Sequence, residues 1–246
     1  MKNFLFLSAF ILFGFLFLPK VNASVIDFTG GTLYLNNGET FTTNKTQTYR
    51  NVDKYIESGF VLDFLEISTE NQPNRDLTSI VGNYYNTTAY PTENDVIHGH
   101  WATGNFGDLL EIRIYRENDE LFDLNYFEIT SNTDEAGFPA SGNEMAYITA
   151  FNSLDTQIGS SVLLPPNDWG LQDKNSGVYL GADFDAVNYV SITASNNIDC
   201  FGMDKFYFDE AAPIPNNPVP EPGGLLLMGT GIFFIAAGSK LRKKLK

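Results

Sequence analysis

The chain has 246 residues, 30 of them acidic and 15 basic, for a formal charge of −15. So acidic a surface repels nucleic acid and anionic lipid, whose phosphates need clustered Lys and Arg. Cys200 is the single cysteine, so no intrachain disulfide forms and the fold must stand on its core, for which 21 Phe and 12 Tyr supply the bulk.

The chain opens on Met1-Lys2-Asn3 and an apolar run over residues 4–18 interrupted only by Ser8. Pro19 breaks the run, and Val21 and Ala23 are small residues three and one positions before a cut after Ala23. This predicts a cleavable signal helix over residues 1–23. An uncleaved anchor is the alternative, disfavoured by the short run and the peptidase-like site. Without residues 1–23 and the segment from 219, the body keeps 8 basic and 29 acidic side chains, net −21. Its length is that of one domain.

Residues 24–210 read as short alternating runs broken by Asn, Gly, Asp and Pro, without long 3.6-residue periodicity. Val25-Ile26-Asp27-Phe28 comes first. Residues 32–35 end at Asn36-Asn37-Gly38, a hairpin signal. Asn51-Val52-Asp53 and Asn94-Asp95 read as turn chemistry. Residues 60–64 and Ile67 alternate after Gly59. Residues 68–107 are poorly patterned and are expected to be a long loop or insertion, a kind of segment that often carries function. The cleanest alternation spans 110–116, apolar at 110, 112 and 114; a turn at 117–120 makes 122–129 its expected hairpin partner. Runs at 146–151, 161–164, 178–180, 189–193 and 206–208 bring the total to about ten strands, which predicts an all-β antiparallel sandwich over residues 24–210. No fixed-period repeat points to a propeller or β-helix.

Several residues invite a chemical reading. His98 and His100 stand two apart on a strand and so face the same way; a metal site would need a third ligand such as Asp95 or Glu93. The alternative is that both decorate a strand beside a buried tryptophan. Asp183-Phe184-Asp185 presents two carboxylates, or simply an acidic turn. Cys200 is expected to be buried and structural, since a nucleophilic cysteine needs a partnered histidine. Trp101, Trp169, Tyr84, Tyr85 and Tyr90 lie outside the clearest strands and are candidate glycan contacts, because an aromatic face with Asn and Asp around it holds a pyranose; core filling is the competing role. No G-x-S-x-G elbow or phosphate-cradling loop occurs. A non-catalytic protein is expected, with a secreted glycan hydrolase as the lesser alternative.

The closing run Phe201-Gly202-Met203-Asp204-Lys205-Phe206-Tyr207-Phe208 resembles the last strand of jelly-roll domains in exported bacterial proteins, including galactose-binding-like and carbohydrate-binding modules. The opening Val25-Ile26-Asp27-Phe28 resembles their first strand. The resemblance implies a jelly-roll-like sandwich with its first and last strands side by side, and polysaccharide as a partner. It also implies a structural calcium held by oxygen ligands between those strands, with Asp27, Asp204 and Asp209 as candidates.

Residues 211–218 form a Pro/Asn-rich spacer. Val219-Pro220-Glu221-Pro222 follows, then an uncharged run over 223–239, about 25 Å long as a helix, then five basic residues among the last seven. The basic end belongs in the cytoplasm. An ordinary single-span anchor fits these parts. Their order at 219–246 also resembles the PEP-CTERM sorting domain of Gram-negative bacteria. That resemblance implies recognition by exosortase, a membrane transpeptidase, after export and signal peptidase cleavage. It implies transient anchoring through a transmembrane helix at 223–239, then release or attachment at the cell surface or biofilm matrix. The chain is thus expected to be an exported surface or extracellular-matrix protein whose sandwich binds polysaccharide, or else a purely structural, adhesive component.

Overall fold

The computed structural model describes residues 23–43, 47–66, 82–85, 95–104, 107–134, 139–168, 175–195, 198 and 200–213. The expected signal helix and the tail from 219 lie outside the described residues. Among the described residues no helix is long and apolar enough to cross a membrane. The chain divides after Ala211, and everything below belongs to the first unit.

That unit is all-β. Its strands are β1 Ser24–Ile26, β2 Thr32–Leu35, β3 Thr40–Thr42, β4 Tyr49–Arg50, β5 Val52–Glu57, β6 Phe60–Glu66, β7 Gly82–Tyr85 and β8 Val96–His100. Then come β9 Leu109–Arg116, β10 Leu124–Thr133, β11 Ala146–Phe151, β12 Gln157–Leu163, β13 Ser176–Tyr179, β14 Tyr189–Ala194 and β15 Cys200–Phe208. Two antiparallel sheets form a sandwich. The first runs β13-β10-β15-β8-β7-β4, with β1 also on β15; the second runs β12-β11-β14-β9-β6-β5-β2-β3.

The alternation that predicts the strands also sorts their faces, except at the start of β9, where a register shift against β6 buries Leu109 and leaves Leu110 47% exposed. In β9, Ile112 and Ile114 are buried while Glu111 and Arg113 lie on the outer face, where Arg113 bonds Glu111 at 3.0 Å. In β15, Phe206 and Phe208 point inward and Tyr207 outward. The interior is aromatic. Phe208 stacks on Phe60 of the opposite sheet at 3.8 Å between ring centroids, with Phe122 edge-on to both. Phe206 stacks on Phe127 at 5.0 Å and meets the edge of Phe28. Among the described residues every core residue lies between Ile26 and Phe208.

β15 organises the first sheet. β10 follows one edge from Cys200 to Phe208. The other edge is shared: β8 pairs with Cys200–Met203 and β1 with Phe206–Phe208. Ser24 faces Phe208 in that pairing, so the first and last strands lie side by side, as the resemblance to jelly rolls implies, and both ends of the domain leave the sheet together. Asp209, just past β15, accepts a bond from the Asp123 amide at 2.9 Å and pairs with Arg116.

The sequence reading is corrected at three places. Strand 124–133 does not form a hairpin with 109–116: β9 pairs with β6 and β14 in the second sheet, and β10 pairs with β13 and β15 in the first. The turn at 117–120 therefore carries the chain between sheets. Asn51-Val52-Asp53 is no simple turn, because Val52 begins β5, which enters a hairpin with β6 through Ser58 and Gly59, both at positive φ. The stretch 68–107 contains β7 and β8. Both faces of β8 are buried, so it lacks the alternation of a half-exposed strand.

Truncating a ring at the meeting of the two sheets leaves a cavity that a stiff sandwich cannot close. Phe208→Ala is expected to lose about 3–5 kcal/mol of unfolding free energy in a urea titration of residues 24–213, and Phe208→Leu distinctly less.

Candidate functional site

The sequence candidates fall into different places. Trp101 is 1% exposed and packs against Phe201, and Tyr84 is 0% exposed. Tyr84 donates to the Phe28 carbonyl at 2.9 Å and to Asp95. Both rings belong to the core and offer no face to a sugar, which corrects their reading as glycan contacts. The side chain of Tyr85, together with Tyr90, Glu93 and Trp169, lies outside the described residues.

The three aspartates proposed for calcium do not converge. Asp27 accepts from the Thr29 amide at 3.1 Å, Asp204 from the Asn175 side chain, and Asp209 is held by Arg116 and the Asp123 amide. Among the described residues no group of three His, Cys, Asp or Glu side chains is placed to hold a metal. Asp183 sits in the 3-10 turn Ala182–Phe184, with Asp185 at its end.

His98 and His100 do share a face of β8, opposite Gly202 and Cys200 of β15. The Cys200 sulfur lies 3.5 Å from His98 Nδ1, with Ser131 Oγ 3.4 Å from that nitrogen and Thr130 Oγ1 3.4 Å from Nε2. Burial, reinforced by the neighbouring His100, holds the His98 pKa well below its ordinary value, so the ring is neutral. Cys200 thus has a histidine beside it, which the sequence left open. Both side chains are sealed from solvent, which closes the pair to any substrate entering from outside.

A second polar group lies where the chain crosses from β1 to β2. Glu57 accepts the Phe28 amide at 3.1 Å and the Tyr55 hydroxyl at 2.8 Å. Thr43 accepts the Gly30 amide at 2.8 Å. Burial first, then repulsion from Asp27, raises the Glu57 carboxyl to about 7 against the partial offset of its hydrogen bonds.

The outer face of the first sheet carries a row of aromatic residues. Register aligns Val25, Tyr207, Tyr126 and Tyr179 across β1, β15, β10 and β13. Each tyrosine occupies the outward phase of its strand, beside inward Phe206, Phe127 and Val178. The Tyr126 ring lies 4.8 Å from Tyr179 and 5.3 Å from Tyr207, tilted by 55° and 62°. Tyr179 is 52% exposed and Tyr207 half-buried, while Tyr126 between them is only 7% exposed. Next to this row runs a polar one. Tyr126 donates to Glu128 at 3.2 Å, and the Asn175 amide bridges Glu128, at 3.2 Å, and Asp204. Gly177, opposite Glu128, leaves room for the Tyr126 phenol, which a Cβ there would strike. Burial and the Glu128 charge raise the pKa of Tyr126 and Tyr207, so both phenols keep their protons.

This is the combination that the sequence argument asks of a sugar site, aromatic surface beside amide and carboxylate groups, built from other residues. The outward tyrosines in alternating strands are visible in the sequence; their alignment into one row is not. Comparisons with protein-family models, with curated proteins and with solved structures find no match to this chain.

The raised Glu57 pKa has a definite sign. The folded state binds its proton more tightly than the unfolded chain, so this contribution is complete below about 4.5 and is lost as pH rises through about 7. Glu57→Gln is therefore expected to flatten the fall in unfolding free energy between those values, measured by urea titrations across the range. An unchanged slope would assign the pH dependence to other groups.

Proposed function

We propose that this chain is an exported surface or extracellular-matrix protein, sorted by exosortase through residues 219–246, whose jelly-roll-like sandwich is non-catalytic and binds polysaccharide. The tyrosine row on the first sheet, with Glu128, Asn175 and Asp204 beside it, carries the binding part of this reading. The exposed Tyr179 ring and the half-buried Tyr207 ring, tilted against the buried Tyr126, form a ledge on which the C–H faces of sugar rings rest, and Glu128 and the Asn175 amide supply hydrogen-bond partners for hydroxyl groups. The flanking carboxylates and the body's net charge of −21 disfavour anionic polymers, so the ligand is a neutral glycan chain.

The sorting part rests on the order of parts in the tail: Val219-Pro220-Glu221-Pro222, an uncharged run and a basic end. The antiparallel pairing of Ser24 with Phe208 suits a domain threaded through a membrane at both ends. Its two ends leave the first sheet together, which lets a signal at 1–23 and an anchor at 223–239 act on one domain.

Affinity electrophoresis of residues 24–213 against neutral and anionic polysaccharides tests the binding. Tyr179→Ala is expected to weaken retention by a neutral glycan about tenfold, about 1.4 kcal/mol, without a change in melting temperature. Retention that survives this substitution, or that appears only with anionic polymers, removes the assignment. For sorting, the full chain expressed with exosortase is expected to lose its tail by mass spectrometry, and Glu221→Ala to keep it.

A further inference from the structure

The strands ending the two sheets are unequal. β3, β4 and β13 have three, two and four residues, while β12 has seven. Long edge strands offer unpaired backbone groups to another chain, and proteins blunt them with Lys, Pro or a bulge. β12 contains no charged residue and no proline, and its irregularity is confined to residues 159–161, which lie opposite Thr149. The surrounding segment, residues 145–167, carries one charged side chain, Asp155, in a body of net charge −21. Among the described residues β12 pairs only with β11.

The hydrogen-bond parity of this edge is readable. The Leu164 amide donates to the Ala146 carbonyl at 2.9 Å, and register pairs Val162 with Ile148 and Leu163 with Tyr147. In an antiparallel ladder bonded and non-bonded pairs alternate, so residues 162 and 164 direct their backbone groups at β11. Ser161 and Leu163 direct theirs outward. Gly159, at φ 59°, bends the start of the strand, and Asp183 sits against it. The open length is therefore Ser160 to Leu163, with the Leu163 side chain 53% exposed.

We propose that this edge pairs with the same edge of a second copy of the chain. Antiparallel pairing about a two-fold axis at Val162 sets Ser161 of each copy opposite Leu163 of the other, and each such pair exchanges two backbone hydrogen bonds. The two eight-stranded sheets then form one continuous sheet. A second copy fits here because the pairing is isologous and Ser160 to Leu163 carry no charge, whereas most other approaches bring two strongly acidic bodies together. Four open residues bury far less than the ~1,200 Å² of a stable interface. The dimer is accordingly weak, concentration-dependent and strengthened by salt, which screens the remaining repulsion. Such contacts become effective where copies are crowded on a surface. The inference does not depend on polysaccharide binding.

Sedimentation equilibrium of residues 24–213, from micromolar to millimolar concentration and without glycan, tests it. The apparent mass is expected to move toward twice the monomer, more so at raised salt. Leu163→Lys and Leu163→Pro are both expected to abolish this shift at unchanged melting temperature, since the Leu163 amide is not part of the β11 ladder. Hydrogen exchange on the unsubstituted protein provides a reading independent of any variant: the Ser161 and Leu163 amides should gain protection as concentration rises. A mass that stays monomeric, protection gained elsewhere, or a Leu163→Pro protein that dimerises normally would overturn strand pairing at this edge.

Discussion

The packing of Phe206 and Phe208 between the sheets is the constraint on which the rest of the fold depends. These two rings come from one strand yet touch Phe60 of the second sheet and Phe28, Phe122 and Phe127 around the first. With no disulfide available, apolar burial must hold the two layers together, at about 1.5–3 kcal/mol per large side chain. β15 can supply this anchor because three strands pin it: β10 along one edge, and β8 and β1 end to end along the other. The last strand of the domain therefore completes the sheet, the core and the junction with the tail at once.

The same pinning decides what the outer face displays. Once Phe206 and Phe208 point inward, Tyr207 must point outward, and the registers with β1, β10 and β13 align it with Val25, Tyr126 and Tyr179. Toward the other end of β15 the outer face changes character. Gly202 and Cys200 lie opposite His98 and His100, and that part is buried and polar. One sheet face thus has an exposed aromatic region and a sealed region in which the neutral His98 ring is packed among Cys200, Ser131 and Thr130.

Charge works against this compact fold and shapes where the molecule can meet others. A body of net charge −21 repels itself and anionic polymers alike. Several carboxylates are consumed internally: Asp209 on Arg116, Asp95 on Tyr84 and Glu57 at the β1–β2 crossing. The β11–β12 edge is almost free of charge, and the tyrosine row combines uncharged rings with acids already hydrogen-bonded to Asn175 or a phenol. Neutral partners suit both places.

Composition and local pattern were enough to specify an all-β domain. Period-two alternation in 110–116 and in 206–208 has one meaning in a two-layer fold, a dry face and a wet one, and Asn36-Asn37-Gly38 closes the β2–β3 hairpin for local steric reasons. The apolar runs near both ends, the Pro/Asn-rich spacer and the basic terminus were equally open to reading as patterns of composition. Pairing at a distance was not. Residues 110–116 and 122–129 look like a hairpin because they alternate on either side of a turn, yet they enter different sheets, since a turn of that length spans the sandwich as readily as it reverses a strand. Nor could the sequence tell a buried aromatic from an exposed one: Trp101 and Tyr84 sit among polar neighbours in the chain and lie in the core, while Tyr126, Tyr179 and Tyr207, 28 to 81 residues apart, become one row with Tyr126 buried and Tyr179 exposed. Faces follow from a residue's own strand, whereas rows across strands follow from register, and register is fixed only when the whole sheet packs.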